Sequence, residues 1–466
     1  MVKLTDDILL NYKRCRRRSY LDVYGDPSQR DGEHGFLQKL RSHSRNHQLS
    51  VLSNLVTGQP YHLSGNSGDR LVKTLDLMIQ GADCIVDGVL SHGDLLTSPD
   101  VLLKQPGQSV WGDWLYLPVS IKLGKRPKSE YQIILAYQAY VLSLVQGALP
   151  TEPWLILRGR SPHRVDLAKW LPLMQTTLTE CLQTLSQTEV PELFISRQKC
   201  GLCHWHSSCY GLAKQKQHLS LLAGVTPSRY QQLLNLGLTT KEQIAQVPLE
   251  QLSVHLGHGV AQTLIKQAQA VVENRAINKK FIPLPDHEVE LYFDIEAEPE
   301  LNLDYLLGVL VVDHARQTRQ FHPFLAESPE AESVIWQQFL GLVRSYPQAY
   351  IYHFSEYEAE TVCRLAHLYG LGSSELQWIR SHMVDLHTHV VNSVILPIEG
   401  YSLKQIAKWL GFQWRNPDIT GADCVCLYDR WLETGDRQCL QKIIAYNEDD
   451  CQATYHLKTW LSSFQG

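Results

Sequence analysis

Two carboxylates separated by one residue inside an apolar run, Asp294 and Glu296 in LYFDIEA at 291–297, constrain this chain more than any other feature. Side chains alternate across a strand, so Asp294 and Glu296 share one face while Ile295 takes the other. Neighbouring carboxylates repel unless a cation sits between them. Hard divalent ions such as Mg²⁺ or Mn²⁺ take oxygen ligands of this kind; an exposed pair on a sheet edge is the plainer alternative. Two further segments carry acids. In YNEDDCQATYHL, residues 446–457, helical spacing puts Tyr446 and Asp450 on one face. IYHFSEYEAETV, residues 351–362, reads as a strand end turning into a helix. Glu358 falls in that helix's first turn, where the dipole also favours negative charge.

The surrounding pattern is α/β. Strands are expected at Glu290–Ile295, Tyr305–Val312 and Tyr350–His353, and helices at Ala331–Val343, Glu356–Tyr369, Ser402–Leu410 and Leu440–Trp460. Upstream, strand-like runs at Cys84–Leu90, Pro99–Lys104, Leu115–Leu123 and Trp154–Leu157 accompany a helix at Glu130–Gln146. Residues 213–280 read as short helices punctuated by Gly224, Gly237 and Gly257, and the prolines of Phe281–Asp286 mark a linker. The 466 residues are enough for two to four domains, and 44% hydrophobic with 20% charged residues excludes a disordered or collagen-like chain. No apolar run reaches the length of a membrane span. Asp6 and Asp7 fall where a signal peptide needs its apolar core, so a cytoplasmic protein is expected. Residues 1–280 hold 31 Lys and Arg against 22 Asp and Glu, whereas residues 281–466 hold 12 against 26. A basic front suits a polyanion, and an acidic back suits metal ions or a solvated acidic surface.

Asp294, Glu296, Glu358 and Asp450, with Tyr446 four residues before the last acid, resemble the DnaQ-like or DEDD 3′–5′ exonucleases of the RNase H-like fold. The closer likeness is to the branch known as the YprB ribonuclease H-like domain, over residues 286–466. VDLHTHV around Asp385 and GYSLKQIAKWLGF at 400–412 are similar to connecting segments of that branch. The resemblance implies two divalent ions, Mg²⁺ or Mn²⁺. Asp294 would bridge both, Glu296 and Asp450 would complete one, Glu358 would hold the other through water, and Tyr446 would orient the attacking water. Glu358 stands where the family usually has Asp, and His353 where Asn is common.

At the front, Cys200, Cys203 and Cys209 have the spacing C-x₂-C-x₅-C. Cysteines so crowded in a cytosolic chain point to metal or cluster ligation rather than disulfides. Cys200–His204 formally matches a c-type haem site, which the missing export signal disfavours. Three Cys with His204 or His206 could hold zinc, and a [4Fe–4S] cluster needs a fourth thiolate, for which Cys15 is the candidate. This arrangement resembles the iron–sulfur RecB-like nucleases of the PD-(D/E)XK type over residues 1–212, and the likeness implies a [4Fe–4S] cluster, zinc being the alternative. Asp100 and Lys122 match that family's metal-binding Asp and its Lys, but Ser120 stands where an acid belongs. A hydroxyl is a poor ligand for a hard cation, so this domain is expected to bind nucleic acid rather than cut it. Gln132 and Tyr137 resemble the helix motif that follows, and His47 the upstream His. Lys13, Arg14, Arg16, Arg17 and Arg18 surround Cys15, where they suit phosphates or an anionic cluster.

The turn Leu256–Val260, with Gly257 and Gly259, resembles a helix–hairpin–helix module, whose backbone N–H groups face phosphate without reading bases. The whole resembles a RecB-like putative nuclease family. Its expected fold is α/β: a restriction-endonuclease-like domain at 1–212 and an RNase H-like domain at 286–466, joined by a small helical domain at 213–280. The expected function is a 3′–5′ exonuclease on single-stranded DNA or RNA. The rivals are cleavage by the front domain and a noncatalytic nucleic-acid-binding scaffold.

Overall fold

LYFDIEA lies in the central strand of a five-stranded sheet, covered on both faces, in the second of two compact units, Met1–Leu212 and Ala213–Gly466. A computed structural model describes residues 2–33, 35–55 and 59–465.

In the first unit, helices α1 (Asp6–Arg14) and α2 (Arg16–Tyr24) meet at Cys15, whose extended backbone ends one and begins the other. A six-stranded sheet follows in chain order: β1 (Tyr61–His62), β2 (Cys84–Val86), β3 (Val101–Ser109), β4 (Gly112–Lys122), β5 (Trp154–Leu157) and β6 (His163–Arg164). Helix α3 (Ser129–Gln146) packs its apolar residues into the core beside helix α4 (Leu167–Ser186). The strand expected at Cys84–Leu90 stops at Val86, because Asp87 turns the chain with a positive φ of 57°.

In the second unit, short helices including α5 (Leu249–Leu256) and α6 (His258–Glu273) come first. Gln267 of α6 donates to the Leu396 carbonyl at 2.7 Å and accepts from the Tyr401 hydroxyl at 3.0 Å, and Ile277–Asn278 pairs with Val394–Ile395. Residues 213–280 thus belong to the same compact unit as the α/β part. That part contains β7 (Val289–Glu298), β8 (Leu303–Asp313) and β9 (Thr318–Leu325), an antiparallel meander. Helix α7 (Glu332–Ser345) leads to β10 (Tyr350–His353), parallel to β7; helix α8 (Glu356–Leu368) leads on to β11 (Met383–Asp385). The sheet order is β9-β8-β7-β10-β11. Both faces are covered, so β8 is apolar almost throughout and buried along its whole length. Phe293 and Ile295 face α7, with the Phe293 ring 4.7 Å from Phe339. Tyr292 faces the opposite core, to which the last helix contributes Cys451, Leu457 and Leu461. Helices α9 (Leu403–Trp409), α10 (Gly421–Thr434) and α11 (Arg437–Gln465) complete the unit. Among the described residues no helix is long and apolar enough to cross a membrane.

Candidate active site

The alternation along β7 turns Asp294 and Glu296 towards α11, and α11 presents Asp450 to them. One oxygen from each of the three carboxylates lies within 4.8 Å of the others. Glu296 is 6% exposed and Asp450 9%. An all-oxygen donor set this close fits a hard divalent cation. Glu358, in the first turn of α8, stands outside this trio but is buried, and its charge reaches Asp294.

Burial, the charge of Asp450, and those of Glu296 and Glu358 push the Asp294 carboxyl well above the usual range. Burial and Asp450 do the same to Glu296. Asp450 is pushed up to about 6 by burial, against hydrogen bonds from Trp414 and Tyr446. Burial followed by the charge of Asp450 raises the Tyr446 phenol, which stays protonated and donates to Asp450.

These raised values set the sign of a pH effect. Between the ordinary value of 3.8 and about 6, the folded, metal-free protein holds a proton on Asp450 that the unfolded chain has lost. Metal-free stability therefore falls as pH rises through that window. Asp450→Asn is expected to match wild type near the bottom of the window and to exceed it above the top, by on the order of 3 kcal/mol. Added Mn²⁺ should stabilise wild type more than the variant. Urea unfolding across the window with and without Mn²⁺ measures both, and parallel curves for the two proteins would refute the account.

Several neighbours were missed in the sequence. Asn447 donates through Nδ2 to Asp294 Oδ2 at 2.7 Å, and Trp414 donates through Nε1 to Asp450 Oδ1 at 2.7 Å. Lys404 donates to the Ile419 carbonyl at 2.5 Å, lies 5.1 Å from the Tyr446 ring centroid, and favours ionised Glu296 and Asp450. Asn447 was findable in principle, lying three residues before Asp450 on α11. Trp414 and Lys404 arrive from a segment that only tertiary structure brings in. Arg415 pairs with Asp449 and Glu448, both at 2.8 Å, leaving Asp450 as the acid of NEDD that joins the trio.

The family model of the RNase H superfamily matches residues 291–462. The back half of the chain holds an RNase H-like domain. The match begins at the first strand of the RNase H-like sheet and ends within α11, enclosing all four acids and Tyr446. No curated protein matches the chain.

In the first unit one oxygen of Asp100 gathers three donors. Its Oδ2 accepts from Ser120 Oγ at 3.2 Å, the Ile121 N–H at 2.7 Å and Lys122 Nζ at 3.0 Å. Asp6, on α1, shares the same cavity of about 380 Å³ and accepts from Thr97, the Ser98 N–H and Gln138. Tyr131, Ile134 and Gln138, at helical spacing, form the face of α3 that lines it. Gln132 and Tyr137 point elsewhere, to the Pro127 and Leu4 carbonyls, and His47 lines a different cavity with Arg158.

Cys15, Cys200, Cys203 and Cys209 are brought together: the charge of Cys15 raises each of the other three thiols, after burial. All four are free of disulfides. Arg17 donates to Cys209, and Arg18 favours the thiolates of Cys200 and Cys203. Arg17 Nε and Arg18 Nε are buried without a hydrogen-bond partner among the described residues, Arg18 Nε lying 3.9 Å from Asp22 Oδ2. His204 is held by Asp22 at 2.6 Å. Elsewhere in the basic run, Arg14 pairs with Glu130 and Arg16 with Glu180, whereas Lys13 is exposed. In the second unit Gly257, with φ of 79°, makes the turn between α5 and α6, and Gly259 lies in the first turn of α6.

Proposed function

We propose that this chain is a metal-dependent nuclease, a 3′–5′ exonuclease acting on single-stranded DNA or RNA from the carboxylate centre of its RNase H-like domain. The observation that carries this reading is the trio of close carboxylate oxygens on Asp294, Glu296 and Asp450, with buried Glu358 beside it. Two divalent ions would supply an activated water and stabilisation of the leaving oxygen. Asp294 would be shared between them, Glu296 and Asp450 would complete one set, and Glu358 would serve the other. Tyr446, protonated and hydrogen-bonded to Asp450, would orient the attacking water. Lys404 offsets part of the negative charge. The first unit would also hold nucleic acid, Oδ2 of its own Asp100 being engaged by Lys122.

A time course on 5′-labelled single strands of DNA and RNA with Mg²⁺ or Mn²⁺, run beside Asp294→Ala, tests this. A ladder shrinking from the 3′ end, absent in the variant, is expected. Strand binding without cleavage by wild type would leave a scaffold.

The four cysteines are proposed to hold a [4Fe–4S] cluster, with zinc as the alternative. Four clustered thiols, with Arg17 donating to Cys209 and Arg18 favouring the thiolates of Cys200 and Cys203, suit an anionic thiolate centre. Protein purified without oxygen should be brown and lose its visible absorption in Cys203→Ala. A colourless protein carrying zinc would decide for the alternative.

A further inference from the structure

Ser355 has a backbone that its side chain does not favour. Its φ is 119° and ψ 175°, a region that belongs almost entirely to glycine. It caps α8, yet the other Ser and Thr caps of the chain, such as Thr226, Ser402 and Thr420, have ordinary negative φ values of −99°, −77° and −121°. Capping alone therefore does not require this conformation.

Its neighbours hold it there. Asp385 Oδ1 accepts from the Ser355 N–H at 3.0 Å, and His353 Nδ1 donates to the Ser355 carbonyl at 2.7 Å. His353 and Asp385 are direct partners across β10 and β11, so the sheet fixes both ends of the clamp. What Ser offers over Gly at this position is a hydroxyl. Ser355 Oγ donates to Glu358 Oε2 at 3.2 Å and accepts from the Tyr357 N–H at 3.3 Å. His353 Nδ1 also lies 3.5 Å from the same Glu358 oxygen.

We propose that Ser355 is a positioning residue for Glu358, held in its strained conformation by Asp385 and His353 so that its hydroxyl delivers that carboxylate to the second ion. The proposal rests on the two-ion reading of the RNase H-like centre. Glu358 is a longer side chain than Asp and has more conformations to choose from, and the clamp selects one.

The test is a calorimetric Mn²⁺ titration of the metal-free full chain, comparing wild type with Ser355→Ala, Ser355→Gly and Glu358→Gln. Removing a group that orients a metal ligand lowers affinity by about 10–100-fold. We expect both Ser355 variants to weaken the second ion by about ten-fold or more, leaving the tighter ion unchanged. Ser355→Gly removes the strain along with the hydroxyl and should melt no lower than wild type, which separates positioning from folding. Wild-type affinity for both ions in the two Ser355 variants, with the second ion lost in Glu358→Gln, overturns the positioning role alone. A wild type that takes up only one ion overturns the two-ion reading and the proposal together.

Discussion

Asp294→Ala is expected to cut nucleic-acid cleavage by on the order of 10³-fold while leaving the domain folded. Asp294 shares its cluster with Glu296 and Asp450 and also feels the charge of Glu358. Its loss removes the ligand common to both proposed ions, so no remaining pair can hold them in the same relation. The fold should tolerate the change, because the ionised carboxylate is disfavoured by burial and by three like charges. An unfolding midpoint at or above that of wild type is therefore expected without metal. Single-turnover cleavage and thermal unfolding of the same preparation measure the two halves. Cleavage within ten-fold of wild type would refute the assignment, and its dependence on Asp100 and Lys122 would move the chemistry to the first unit.

Gly308→Ala should damage the same centre from a residue that carries no chemistry. Gly308 lies opposite Asp294 in the register of β7 and β8. A methyl group there would stand 1.7 Å from Asn447 Oδ1 and 2.8 Å from its Cγ. Asn447 would have to leave, taking with it the donor to Asp294. Overpacking of this kind costs about 1–3 kcal/mol, or roughly 5 °C in the midpoint of a unit this size. Mn²⁺ affinity should fall as well. Adding Asn447→Ala to Gly308→Ala makes room and should restore the midpoint but not the affinity. A Gly308→Ala protein with unchanged midpoint and affinity would show that the strands part easily, against the packing described.

Much of the second unit was legible because its signals are local. The alternation in LYFDIEA fixed which face Asp294 and Glu296 share, and the four-residue spacing placed Tyr446 beside Asp450. The strand Tyr350–His353 followed by a helix from Glu356 also matches the chain. What escaped was contact between distant segments. Trp414 reaches Asp450 across 36 positions, and Asn447 reaches Asp294 across 153. The cavity-lining face of α3 had no sequence signal for a different reason. Its buried residues run almost all the way around the helix, so periodicity could not tell the cavity-lining Gln138 from Gln132. The strain at Ser355 was likewise invisible, since serine is an unremarkable helix cap in sequence.

The four acids stand on three elements, each anchored by apolar residues of its own. β7 is held by Phe293 and Ile295, α8 by Val362 and Leu365, and α11 by Cys451, Leu457 and Leu461. Chemistry and foldability are consequently separable traits in this architecture. A lineage can exchange one acid for a neutral residue and still inherit an intact domain. The residues that would do chemistry and the residues that hold the fold are therefore largely different positions.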